Sequence, residues 1–165
     1  MNQPQAEKQV YEVLESLGIT FLKHEHPPVY TVEEAKQHWR GLTGARCKNL
    51  FLRNKKGNRH YLVIIEHSKN ADLRKLTERL GEDRLSFGST ERLQRFLGLE
   101  PGAVSPFGLI HDDRKEVIVV IDQELRQAER IHFHPNVNTA TLGLSFYDFE
   151  KFLAWAGNPI RYLAL

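Results

Sequence analysis

The chain is punctuated into short runs whose apolar spacing alternates between helical and extended periods. From Gln5 to Leu17, the residues Val10, Val13, Leu14 and Leu17 fall on one helical face, and Gly18 is a natural stop. Thr20 to His24 reads as a short strand ended by Pro27 and Pro28. Thr31 and Glu34 have capping-box spacing, which predicts a short helix from Val32 to about Trp39. Arg46 to Arg53 and His60 to Glu66 then read as two strands joined by the NKKGN turn, and the second arm, YLVII, is apolar enough to lie centrally.

Farther on, Asn70 to Leu80 predicts a helix with Leu73, Leu76 and Leu80 inward, closed by Gly81. Ser89 caps a second helix to about Leu97, with Leu93, Phe96 and Leu97 inward and Gly98 as its stop. Glu116 to Ile121 reads as an apolar strand, Asp122 to Gln127 as a turn or short helix, and Arg130 to His134 and Thr139 to Leu144 as two more strands. The last helix begins at Ser145, with Asp148 three residues on; Phe149, Phe152, Leu153 and Trp155 give it an aromatic face, and Gly157 and Pro159 end it. Helices around several strands, two pairs of them close enough to be hairpins, predict an α+β fold: a single domain over 1–165 with a central mixed, partly barrel-like sheet flanked by helices.

One stretch fits neither period. Leu97 to Leu109, LGLEPGAVSPFGL, holds two prolines and three glycines yet is too apolar for a solvated linker, so it is expected to be pinned to the body of the protein. A rigid loop with bare backbone N–H groups can receive a carbonyl oxygen or a phosphate; an ordinary helix-to-strand turn is the competing reading. The strand before it has its own irregularity. Lys48 and Asn49 interrupt the apolar run ending in Leu50, Phe51 and Leu52, and alternation puts Lys48 on the face of Leu50 and Leu52, with its ammonium at a site or snorkelling to water.

Composition narrows the classes. With no apolar run long enough to span a bilayer and no signal-peptide pattern in MNQPQAEKQ, a cytoplasmic protein without a membrane partner is expected. The single Cys47 excludes an internal disulfide framework and reads as a small buried strand residue. The formal net charge is only +2, but Arg40 to His60 carries Arg40, Arg46, Lys48, Arg53, Lys55, Lys56 and Arg59 with no acid among them. That makes a basic patch on an otherwise acidic body, where a polyanion would dock.

No GxSxG elbow, Walker loop or dinucleotide fingerprint is present. His132 and His134 form an HxH pair that, with His111, invites a metal reading, but no carboxylate or cysteine lies at a supporting spacing, so neither a metal nor a cofactor is expected.

The residues together resemble a known family. GAVSP, Gly102 to Pro106, resembles the GxxxP loop of the YbaK/prolyl-tRNA-synthetase-associated editing domain. CKNLFL (Cys47 to Leu52), RLSFGSTERLQRFLGLEPGAVSPFGL (Arg84 to Leu109) and FHPNVNTATLGLS (Phe133 to Ser145) look like its freestanding ProX (PrdX, ProXp-ala) branch, and the likeness runs from Gln5 onward. The resemblance implies trans-editing, the hydrolysis of the ester of mischarged alanyl-tRNA(Pro) by a pocket too small for prolyl. A non-catalytic tRNA- or synthetase-binding module, and a deacylase for seryl or cysteinyl groups, are the rival readings.

Carried onto this chain, the family pattern places the catalytic positions at Lys48, Asn49, Gly102 and His134. Lys48 would anchor the terminal adenosine or its phosphate, Asn49 would orient a ribose hydroxyl or water, and N–H groups near Gly102 would stabilise the oxyanion. His134 would bond the loop or the substrate amine, or else brace Pro135. Substrate contacts are expected from Arg46, Ala103, Val104, Ser105, Pro106 and Phe107. The implied partner is the acceptor end of tRNA(Pro), bound by a monomer, with prolyl-tRNA synthetase or an elongation factor as candidate protein partners.

Overall fold

A computed structural model describes residues 3–28, 30, 31, 33, 34 and 43–165. In chain order its elements are α1 (Gln3–Ser16), β1 (Leu22–Glu25), β2 (Ala45–Asn54), β3 (His60–Glu66), α2 (Leu73–Leu80), β4 (Leu85–Phe87), α3 (Thr90–Leu97), a 3₁₀ helix (Pro106–His111), β5 (Val117–Asp122), a second 3₁₀ helix (Gln123–Gln127), β6 (Arg130–Phe133), β7 (Ala140–Ser145), α4 (Phe146–Ala156) and β8 (Ile160–Leu163). The strands form one mixed sheet in the order β1-β7-β6-β2-β3-β5-β8, with β4 also on β2, so the expected α+β architecture stands. Of the helix expected from Val32 to Trp39, the described residues are Glu33 and Glu34, both helical, and the Glu34 N–H donates to Thr31 Oγ1 at 3.1 Å.

The caps read from the sequence do the work assigned to them. Ser89 and Ser145 accept from the N–H of the residue three on, and Gly81, Gly98 and Gly157 close their helices at φ 69°, 64° and 80°. Asp72 caps α2, two residues beyond the expected start. Two short strands were not expected: β4, which pairs Leu85 to Phe87 with β2, and β8, which pairs parallel with β5. Trp155 is a correction to the last helix. The buried stripe of α4 is Phe146, Phe149, Phe152, Leu153 and Ala156, and the indole at its rim is 46% exposed.

Strand β2 organises the site. It pairs antiparallel with β3 along most of its length, while its other edge meets β6 only at Ala45 and Arg46 and β4 only from Leu52 to Asn54. Asn54 N–H bonds the Arg59 carbonyl and His67 N–H the Arg46 carbonyl, so even-numbered residues turn their main chain toward β3. By alternation Cys47 and Asn49 turn theirs to the outer edge, which no described strand covers there. The two faces differ as well. Phe51, Leu62 and Ile64 join the larger core with Leu97, Leu99 and Phe107, whereas Leu52, Tyr61 and Val63 pack with Leu76 and Leu80 of α2.

Candidate active site

The 98–112 loop crosses the Phe51 face of the sheet and is held at several points. Ser105, fully buried, caps the first 3₁₀ helix by accepting from the Phe107 N–H at 3.1 Å, and Pro106 follows at its first turn. The Phe107 ring is sunk among aromatic rings, 5.1 Å from Phe152 and 6.0 Å from Phe133, while its carbonyl accepts from Asn136 Nδ2 at 3.3 Å. At the far end Asp112 accepts from the N–H groups of Glu116 and Val117 and from Asn158 Nδ2, at 3.2, 2.9 and 2.7 Å, tying the loop to β5 and to the approach to β8.

What this support presents is the turn before it. Pro101, Gly102 and Val104 line a cleft of about 200 Å³ together with Asn49, Leu50, Phe51, Phe87, Gly88, Thr90 and Leu93. That is below the roughly 300–1,000 Å³ of ordinary small-molecule pockets, a size suited to a small acyl group. Gly102 sits at φ +89°, and a Cβ there would lie 3.1 Å from Tyr30 Cδ1. The Ala103 N–H is occupied by the Glu100 carbonyl at 3.1 Å; among the described residues nothing accepts from the N–H of Gly102 or Val104. Asn49 Oδ1 is buried without a hydrogen-bond partner. An uncompensated buried carbonyl costs about 1–3 kcal/mol, so a group inside the cleft that donates to it is favoured.

Of the residues the sequence singled out, the structure brings Asn49, Gly102 and Val104 to one cleft. It does not bring Ser105, Pro106 and Phe107 there, because the 3₁₀ helix turns them into the core, and Ala103 is buried beside them. Arg46 is buried in the β2–β6 join, where its guanidinium donates to the Gly44 carbonyl at 2.6 Å. Lys48 does share the face of Leu50 and Leu52, the side opposite Asn49, and its ammonium donates to the Lys69 carbonyl at 2.8 Å. In this arrangement it stands away from the Gly102 amides.

His134 lies in the β6–β7 connection with Nδ1 against the Ala140 carbonyl at 2.8 Å and its ring edge-on to His26 at 5.8 Å. Burial lowers its pKa below the ordinary imidazole value, so it is neutral, with the Nδ1 proton donated to that carbonyl. His132 Nε2 faces the Thr43 carbonyl at 2.5 Å. Among the described residues no three His, Cys, Asp or Glu side chains gather as a metal site, and His111 packs instead against Gly98.

Sequence reasoning missed Phe87, Gly88 and Thr90. Phe87 is 61% exposed at the cleft mouth, and Gly88 lies so flat on Phe51 that a Cβ would fall 2.5 Å from that ring. The available signal was the exposed aromatic in SFGST, between a strand and a capping serine.

Comparison with known proteins bears on the same region. A family model, the aminoacyl-tRNA editing domain, matches residues 26–152. The prolyl-tRNA editing protein ProX of Acetoanaerobium sticklandii is 41% identical over 160 residues, covering 97% of this chain and 98% of that one. Prolyl-tRNA synthetase associated domain-containing protein 1 of Danio rerio is 38% identical over 148 residues, covering 88% and 80%. The solved structure of a candidate trans-editing enzyme for prolyl-tRNA synthetase superposes with a TM-score of 0.71 over 99% of this chain and 98% of its own; at 22% identity that likeness bears on the fold.

Proposed function

The chain belongs to the aminoacyl-tRNA editing domain family, and from that premise we propose that it edits mischarged tRNA(Pro) in trans by hydrolysing the ester of alanyl-tRNA(Pro). It is a hydrolase acting on the carboxylic ester of an aminoacyl-tRNA, and its substrate is a tRNA. The observation that carries the finer reading is the unpartnered Asn49 Oδ1 buried in the same small cleft as the open amides of Gly102 and Val104.

The chemistry follows from what those groups offer. The ester carbonyl points at the Gly102 and Val104 N–H groups, which stabilise the oxyanion as water adds to the carbonyl carbon. Asn49 Oδ1 accepts from the attacking water or the neighbouring ribose hydroxyl and fixes its direction. No described side chain in the cleft is a general base, so the substrate's own ribose hydroxyl relays the proton from water to the departing ribose oxygen. Products are free alanine and tRNA(Pro) with its hydroxyl restored. Phe87 offers its exposed ring to the terminal adenine. A phosphate-anchoring role for Lys48 would require its ammonium to leave the Lys69 carbonyl, to which it donates on the face opposite Asn49.

Selectivity is steric. A synthetase pocket built for proline rejects alanine by only about 1–3 kcal/mol, so a second, smaller pocket is needed, and here Phe51, Leu93 and Val104 wall it. The test is one deacylation assay across alanyl-, prolyl-, seryl- and cysteinyl-tRNA(Pro), run on the wild-type chain and on Asn49→Ala. Alanyl turnover with prolyl spared, and a loss of at least tenfold in the variant, is the expected result. Turnover of none of the four by the wild type would refute the assignment.

A further inference from the structure

Two arginines, Arg53 and Arg92, converge on one glycine, and a third, Arg95, lies one helical turn on from Arg92. A Cβ on Gly57, in the β2–β3 turn, would lie 2.8 Å from an Arg92 guanidinium nitrogen and 3.0 Å from one of Arg53, so both groups converge over that turn. Arg92 donates to the Gly57 carbonyl at 3.1 Å and to His60 Nε2 at 2.9 Å, while Arg53 donates to the carbonyls of Asn54 and Lys55 at 3.1 and 2.9 Å. The Arg95 guanidinium lies over the Phe96 ring, 5.1 Å from its centroid. After burial, the fields of Arg92, Arg53 and Arg95 are what depress the His60 pKa.

Every one of these partners is neutral. Among the described residues none of the three arginines pairs with a carboxylate: Glu91, next to Arg92 in sequence, forms no ion pair with them, and Asp83 accepts from the Lys55 N–H at 3.4 Å. Arg59, by contrast, is compensated by Glu82. Arg53, Arg92 and Arg95 therefore form a concentrated positive site whose mutual repulsion an anion would relieve. Exposed Lys55 and Lys56 extend it along the turn.

Its position relative to the cleft selects the anion. Thr90 and Leu93 of α3 line the cleft, and Arg92 and Arg95 stand on the same helix within about 8 Å of Thr90 along its axis, about 100–160° around it from that pair, Arg92 on the flank that faces the β2–β3 turn. Resting on the editing reading above, we propose that Arg53, Arg92 and Arg95 are the track that holds the sugar-phosphate backbone of the acceptor strand as its 3′ end enters the cleft past Phe87. Arginine is suited to this because its planar fork takes phosphate oxygens two at a time. On this proposal the strand crosses α3 beyond Thr90 to reach these groups, which supply affinity without reading sequence.

The experiment measures binding of an uncharged acceptor-stem RNA minihelix with a single-stranded 3′ end, by fluorescence anisotropy from 50 to 200 mM salt, for the wild-type chain, Arg53→Gln/Arg95→Gln and Arg53→Lys/Arg95→Lys. Each phosphate contact on a single strand contributes about 0.7 to the slope of log Kd against log salt, so the glutamine pair is expected to lower it by about 1.4 and the lysine pair to keep it. An unchanged slope in the glutamine pair, or equal loss in the lysine pair, would overturn the track. Wild-type turnover of the alanyl ester of adenosine, which has no acceptor strand, tests the enzymatic reading separately: turnover with an unchanged slope fails the track alone, and no turnover fails the reading beneath it.

Discussion

Gly102→Ala separates the proposed oxyanion site from its scaffold. The residue sits at φ +89°, where a side chain costs roughly 1–2 kcal/mol, and the new methyl would touch the Tyr30 ring at 3.1 Å. Tyr30 is exposed and can yield, so the total stays near that range. For a chain of 165 residues each kcal/mol lowers Tm by about 2–4 °C, so the variant is expected to melt about 2–8 °C lower and to remain folded at assay temperature. Its effect on chemistry should be far larger. Relieving the strain rotates the 102–104 turn, and losing one oxyanion donor costs about 10²–10³ in kcat. The matched control is Gly81→Ala, at φ +69° with nothing within 4 Å of a Cβ, in the C-cap of α2 away from the cleft. It carries the same kind of backbone strain and is expected to lose similar stability and no deacylation. Both variants are read by thermal melting and by single-turnover hydrolysis of alanyl-tRNA(Pro). If Gly102→Ala deacylates within threefold of Gly81→Ala, the amides of this turn do not carry the reaction.

Two further outcomes follow from single contacts. Lys48→Ala is expected to lower kcat/KM for alanyl-tRNA(Pro) more than tenfold with the melting curve little changed, since its one hydrogen bond, to the Lys69 carbonyl, is part-buried; full activity would leave that lysine a structural residue. His60, buried between Phe51 and Phe96 and accepting from Arg92, has its pKa depressed to about 4, chiefly by burial and then by the arginines. Unfolded, it takes a proton near 6.5, so between about pH 6.5 and 4 the unfolded state binds more protons and stability falls as pH falls, by up to about 3 kcal/mol at pH 4. His60→Gln keeps an acceptor for Arg92 but cannot titrate, so urea unfolding at pH 4 and 7 should show that extra acid loss only in the wild type; equal losses would contradict it.

The local signals in the chain were legible and the long-range ones were not. The β2–β3 hairpin announced itself by two apolar runs around the NKKGN turn, and serine and glycine caps marked α3 and α4. β4 and β8 had no such signal: each is three or four residues long and exists because a distant strand offers an edge. Trp155, three residues after Phe152, matches the helical period, yet the stripe of α4 drifts past it to Ala156. At the site, composition showed that the 97–109 loop would be pinned, but the direction of each side chain depended on where the 3₁₀ helix began. Pro106 starts it, so Phe107 anchors the loop instead of touching substrate. The interruption at Lys48 and Asn49 was likewise visible, whereas its setting, an edge that no described strand covers between β6 and β4, is a property of the whole sheet.

A site whose donors are main-chain amides places its demands on residues that never meet the substrate. An N–H group cannot be exchanged by mutation, and its aim is set by the turn that carries it; its worth lies in being already oriented when charge develops. Here that orientation comes from Ser105 capping the 3₁₀ helix, Asn136 holding the Phe107 carbonyl, Phe107 filling the aromatic core and Asp112 fastening the far end. Those groups are buried and bonded to one another or to backbone, so moving one moves the 101–104 turn with it. In the mechanism proposed above, the same construction accounts for hydrolysis with no general base among the described residues of the cleft: the preoriented amides lower the barrier to water attack, Asn49 directs the attacking oxygen, and the ribose hydroxyl of the substrate carries the proton.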